Sequence, residues 1–251
     1  MANHSSKAGG VSILMYHYLG EPPAPEDAPY FVPVSAFEQQ MNYLATNGFH
    51  CVSLDQVVKS LHERRPLPTR SFVITFDDGH DSFARFAAPI LRKSNFAATM
   101  YIITGKLGAP NFLDEATINS LQADGFTFGS HSHTHQILTT LPEADVVFEL
   151  VESKKRLEDV LGADVRHFCY RGGHHNDRIK ELVKAASYDT AVCSRPGLNT
   201  IHSDAFALSR MGIRRGDDMR AFASKVTGRL ETPTIKARLK KAWLRVRSAS
   251  T

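Results

Sequence analysis

The chain has little cysteine, a single tryptophan and no long apolar run. Of its 251 residues three are Cys and one is Trp. Cys51, Cys169 and Cys193 are far apart and odd in number, and no Cys-x-x-Cys pair exists. That excludes a full disulfide framework and a cysteine-built zinc site, and leaves reduced thiols as the expectation. No stretch approaches the roughly 20 apolar residues that a membrane span needs. The first twenty residues carry one lysine and no extended apolar core, so no secretory signal is expected and the thiols suit the cytoplasm. No internal repeat and no linker divides the chain. Disorder is excluded as well, because 42% of residues are hydrophobic against 22% charged. Histidine, by contrast, is plentiful at 12 residues, and several lie close together.

The net charge of +4 belongs to one end of the chain. Six basic residues fall between Lys236 and Arg247 with no acidic one, and without them 24 basic residues face 26 acidic ones. Ile235, Leu239, Trp243 and Val246 recur there at helical spacing beside the basic side chains. Two readings are open for residues 232–251. One is an interfacial helix touching anionic lipid at the inner face of the membrane. The other is a terminal helix docked on the domain with a solvated basic side. No groove-reading module or aromatic-basic RNA motif is present, so no nucleic-acid partner is expected.

The remainder, residues 11–231, reads as one α/β domain. Short apolar runs predict strands at Val11–Tyr16, Ser71–Phe76, Ala97–Ile103, Phe126–Gly129, His167–Tyr170, Thr190–Cys193 and Ala205–Ile213. Amphipathic stretches predict helices at Ser35–Asn47, Leu54–His62, Ser82–Lys93, Asp114–Ala123, Pro142–Leu161, Asp177–Ala186 and Asp218–Lys225. The Pro-rich run at residues 20–33 reads as a loop. Strand–helix alternation indicates a parallel sheet or barrel. In such folds reactive groups collect at the C-terminal ends of the strands. The polar clusters fall there: His17, Asp77-Asp78, His131–His135 and Arg171–Asn176.

Two adjacent carboxylates at a strand end, Asp77 and Asp78, are costly without a cation nearby. The plainer alternative is a hydrogen-bonded turn. In GSHSHTHQIL, His131, His133 and His135 point to one side if extended, and the outer pair shares a face if helical. Imidazoles joined by a carboxylate suit a borderline divalent ion and leave a position open for water. The second carboxylate then remains as a base.

These residues resemble a family. The run Thr75-Phe76-Asp77-Asp78-Gly79 followed by His131–His135, each after a strand, is similar to the polysaccharide deacetylases of carbohydrate esterase family 4, with their rhizobial chitooligosaccharide deacetylase homology domain. The resemblance runs from about Val11 to Gly216. It implies a distorted (β/α) barrel of about seven strands. It also implies removal of acetyl groups from an N-acetylated glycan or lipid-linked saccharide with a divalent metal, zinc foremost and cobalt, nickel or manganese as alternatives. On this resemblance Asp77 is the general base, and Asp78, His131 and His135 are the metal ligands. His133 falls on a variable position.

Two motifs depart from the family pattern. Cys169 stands where an arginine usually orients the catalytic aspartate, and Arg171 stands where proline is usual. Tyr170, Arg171 and Gly172 are expected to shape the substrate and oxyanion pocket. The late strand region Ala205–Arg215 lacks the family's usual acid histidine. A branch resembling the biofilm poly-N-acetylglucosamine deacetylases instead carries a Tyr-His pair on the first strand, which matches Tyr16-His17 and assigns the general acid to His17. The rival readings are a cytosolic amidohydrolase acting on a small amide and a catalytically silent glycan-binding domain.

Overall fold

The computed structural model of the protein describes residues 10–229. The basic segment 232–251, and the membrane contact expected of it, lie outside the described residues. The described residues form ten strands: β1 Ser12–Tyr16, β2 Tyr18–Leu19, β3 Phe31–Val32, β4 His50–Cys51, β5 Ser71–Phe76, β6 Thr99–Ile102, β7 Thr127–Ser130, β8 His167–Cys169, β9 Thr190–Val192 and β10 Met211–Gly212. Among the described residues seven α-helices accompany them: α1 Val34–Thr46, α2 Leu54–Glu63, α3 Ala88–Lys93, α4 Glu115–Ala123, α5 Glu143–Leu161, α6 Asp177–Ala185 and α7 Met219–Val226. The main sheet runs β10-β1-β5-β6-β7-β8-β9 with every neighbour parallel, and β4 pairs with the start of β5. This is a curled parallel sheet wrapped in helices, the distorted (β/α) barrel that the resemblance implies.

Both faces of the sheet are apolar because both are covered. Every residue of β5 is buried. Its Phe72, Ile74 and Phe76 join the large cluster beneath the helices, whereas Val73 joins a smaller inner cluster with Ile13, Tyr101, Cys169, Val192 and Leu208. Side chains alternate along a strand, so Thr75 and then Asp77 continue the inner face set by Val73. The helices open on side-chain caps: Ser53 with Gln56 forms a capping box, and Asp114, Asn176 and Asp218 accept from the first turns of α4, α6 and α7.

Three elements differ from the sequence expectations. Residues 205–213 form a strand only at Met211–Gly212, because the segment changes partner midway. Leu208 N–H donates to Ala191 O and Cys193 N–H to Leu208 O, both at 2.9 Å. Then Met211 pairs with Leu14, and Ile213 N–H donates to Met15 O at 2.9 Å. One extended run therefore closes the barrel between β9 and β1. The helix expected over Ser82–Lys93 opens with a wide π turn at Phe83–Ala87 before α3, whose second residue is Pro89; proline lacks the N–H that a regular α turn would use there. The loop 20–33 is bounded by a small parallel sheet of β2 and β3, with a 3-10 turn at Pro25–Tyr30 inside it.

Candidate active site

The strands end on the same side of the barrel, and their C-terminal residues line one pocket of about 430 Å³. His17 follows β1, Asp77 and Asp78 follow β5, His131 and His135 follow β7, and Arg171 and Gly172 follow β8; all line it. Tyr170 does not. Its side chain is buried, its N–H donates to Val192 O at 3.2 Å, and its hydroxyl donates to Phe206 O at 3.0 Å. The expectation that Tyr170 lines the pocket is thus corrected: the β8–β9 ladder spends its N–H, and the ring packs below.

Asp77 and Asp78 part company at the turn. Asp77 stays on the inner face, 3% exposed. Asp78 takes a left-handed conformation, φ +75°, followed by Gly79 at +80°. That conformation is unfavourable for a side-chain-bearing residue. It turns the second carboxylate away from the barrel axis toward the histidines. Asp78 Oδ1 lies 3.5 Å from His131 Nε2 and 3.6 Å from His135 Nε2.

The motif His131–His135 is neither extended nor helical. Ser132 and His135 have φ of +65° and +63°, so the run coils back on itself and brings the two rings to a centroid separation of 4.7 Å. A buried carboxylate holds it. Glu149, on the inner face of α5 and 4% exposed, accepts from the N–H groups of His133 and Thr134 at 2.8 Å each, and from the Thr134 hydroxyl. His133 itself turns away, its Nδ1 3.0 Å from Thr104 Oγ1.

The liganding atoms of Asp78, His131 and His135 all lie within 4.8 Å of one another. Bonds of about 2.0–2.2 Å at tetrahedral angles would set such atoms roughly 3.4 Å apart, close to the two separations above. His131 Nδ1 lies 2.8 Å from Cys169 O. The proton on that nitrogen is thereby fixed, and the Nε2 lone pair faces Asp78, as in metal-ligating histidines. Burial, followed by neighbouring His131, pushes His135 down to about 4, so its imidazole is neutral at ordinary pH. The donor set fits a borderline divalent ion. Asp77, His131 and Cys169 form an overlapping group. Both Asp77 oxygens are already engaged elsewhere, which favours the Asp78 set.

The group engaging Asp77 is Arg210, which the sequence reading missed. Arg210 is fully buried, and its two terminal nitrogens donate to Asp77 Oδ1 at 2.6 Å and Oδ2 at 2.8 Å. Its Nε donates to Cys193 O at 3.0 Å. Burial alone would push the Asp77 carboxyl up; the guanidinium, with smaller contributions from His131 and His17, more than reverses this and holds it well below the usual carboxylate range. Cys169, standing where the family arginine is usual, lies against the same pair, its sulfur 3.1 Å from the guanidinium. Arg171 sits at the exposed rim. The missing arginine is thus supplied from the closing segment, where Leu208 and Arg210 share the inner face. An arginine two residues beyond a buried leucine in Ala-Leu-Ser-Arg-Met was the available signal.

Two aromatic residues complete the mouth. The Tyr18 hydroxyl donates to Asp78 Oδ2; burial, followed by the nearby Asp78 charge, pushes that phenol up, so it remains a donor. Tyr30, 50% exposed, lies with its ring centroid 5.2 Å from that of His17.

A sequence model of the polysaccharide deacetylase family matches residues 64–191. That span holds Asp77 through Gly172, with His17 before it and Arg210 after it. The Bacillus subtilis protein YxkH, a polysaccharide deacetylase by name, is 24% identical over 222 residues, which are 88% of this chain and 78% of that protein. The poly-beta-1,6-N-acetyl-D-glucosamine N-deacetylase of Staphylococcus aureus strain MSSA476 is 28% identical over 171 residues, 62% of this chain, and the matched region spans 59% of that protein's length. Among solved structures, the Streptococcus pyogenes deacetylase PplD in complex with acetate superposes with a TM-score of 0.81 at 24% identity, covering 86% of this chain and 98% of that one.

Proposed function

The chain belongs to the polysaccharide deacetylase family, and from that premise we propose that it removes N-acetyl groups from an N-acetylated glycan in a metal-dependent hydrolysis that releases acetate. The observation that carries this reading is the convergence on one pocket of an Asp78–His131–His135 ligand set, a carboxylate held by Arg210, and His17. A divalent ion held by Asp78, His131 and His135 would polarise the amide carbonyl and acidify a water.

The rest falls to the chain's own groups. Asp77 accepts the proton of the attacking water. Arg210 occupies both of its oxygens from the barrel side, so the carboxylate stays ionised and keeps one orientation, and its remaining lone pairs serve the pocket. The Gly173 N–H is spent on Tyr170 O at 2.9 Å, so the N–H groups left in this turn to meet the charge that develops on the acetyl oxygen are those of the pocket-lining Arg171 and Gly172. His17 gives its proton to the departing sugar amine. Tyr30, exposed beside His17, offers an apolar ring to a neighbouring sugar. Such a rim suits an extended substrate better than a small enclosed amide. The staphylococcal relative is named for a β-1,6-linked N-acetylglucosamine polymer, which makes short N-acetylglucosamine oligomers the first substrates to try.

The test is acetate release from such oligomers by zinc-, cobalt-, nickel- or manganese-loaded protein. The expected result is turnover that chelation abolishes and metal restores. Turnover unaffected by chelation would contradict the reading.

A further inference from the structure

The two oxygens of Asp78 have different surroundings. Oδ1 faces His131 Nε2 and His135 Nε2 at 3.5 and 3.6 Å, while Oδ2 accepts the hydroxyl of Tyr18. We infer that Tyr18 is a positioning residue that makes Asp78 a one-oxygen ligand, and so sets both the tightness of the metal site and its choice of ion. The inference rests on the metal-site reading above.

Three observations carry it. First, Tyr18 is fixed independently of the site. Its backbone belongs to β2, which pairs with β3, and Leu19 N–H donates to Ser82 Oγ at 3.1 Å. Its ring is held between Phe31 and His80, with centroids 4.9 and 4.6 Å away. The hydroxyl therefore reaches Asp78 from a rigid mount. Second, Asp78 needs holding. Its φ of +75° is a strained value for a side-chain-bearing residue, and the side chain must leave the barrel's inner face to meet the histidines. A hydrogen bond from a neutral donor to a carboxylate is among the stronger ones. Third, a capped Oδ2 removes one coordination option. A carboxylate with both oxygens free can bind through two, as larger hard cations often require. One free oxygen and two imidazoles instead suit a small ion with few protein ligands and a place left for water. Partners that orient a metal's ligands typically change affinity by about 10–100-fold when removed.

The test compares the full-length protein with Tyr18→Phe, which keeps the ring and its packing and deletes only the hydroxyl. Zinc and manganese dissociation constants are measured by chelator competition, and the visible bands of cobalt-loaded protein report ligand geometry. The expected result is zinc binding weakened tenfold or more, a narrower zinc-over-manganese preference and altered cobalt bands, with the metal-free protein still folded and unfolding in one cooperative transition. A parent protein that binds metal while Tyr18→Phe binds zinc within tenfold of it would overturn the inference alone. A parent protein that takes up no divalent metal would overturn the site reading and the inference with it.

Discussion

Asp77 and Arg210 form a buried ion pair with both partners at or below 3% exposure. Such a pair contributes modest net stability, yet removing one partner leaves an uncompensated charge at a cost of roughly 3–5 kcal/mol. Arg210→Met is therefore expected to lose about that much in urea unfolding and most of the activity. Adding Asp77→Asn to it should recover more than half of the stability, because no unpaired charge remains, and none of the activity. A double variant as unstable as Arg210→Met would contradict the pairing. The residue scale is also where reading the sequence succeeded and failed most clearly. Asp77, Asp78, His131 and His135 announce themselves by adjacency and spacing. Arg210 is 133 residues from Asp77 and is recognisable only once the closing segment is known to run beside β9 and then β1. On β8 the position of the usual arginine holds Cys169, and the guanidinium that meets Asp77 comes from a different segment.

At the scale of elements, the metal-ligand loop depends on α5. The helix is plain in the sequence, and Glu149 lies on its buried face near Val146, Leu150 and Ser153, an acid where apolar residues are expected. What the pattern does not show is that this acid caps the coil between His131 and His135, because the loop's left-handed residues, Ser132 and His135, follow no helical or strand period. Glu149→Ala would orphan the N–H groups of His133 and Thr134 at roughly 1–3 kcal/mol each. The expected outcome is a loss of at least about 2 kcal/mol in urea unfolding together with weakened zinc binding. Glu149→Gln keeps a carbonyl acceptor and should lose less on both counts. Unchanged metal affinity in Glu149→Ala would show that the loop does not need this support.

Across the whole molecule, the alternation of strands and helices was legible because parallel strands covered on both faces read as apolar runs. The closing of the barrel was not, since residues 205–213 split their hydrogen bonds between two neighbours. That closure brings Arg210 beneath Asp77 while the turns after β5 and β7 bring three ligands together, so the site spans strands far apart in sequence. Metal binding should then stabilise the whole fold. With free metal one hundredfold above its dissociation constant the gain is about 2.7 kcal/mol. For a domain of this size that corresponds to a rise in melting temperature of roughly 5–10 °C, lost on adding chelator and graded with metal concentration. A melting temperature indifferent to zinc would contradict a site built from these elements.

The role of Asp77 is decided by measuring acetate release by Asp77→Asn beside the parent protein, with the bound metal of each quantified in the same preparations. With Asp77 as the base, the expected result is a variant that keeps its metal, since Asp78, His131 and His135 are intact, and loses deacetylation, since the carboxylate that takes the water's proton is gone. A variant that still releases acetate at the parent rate would contradict it.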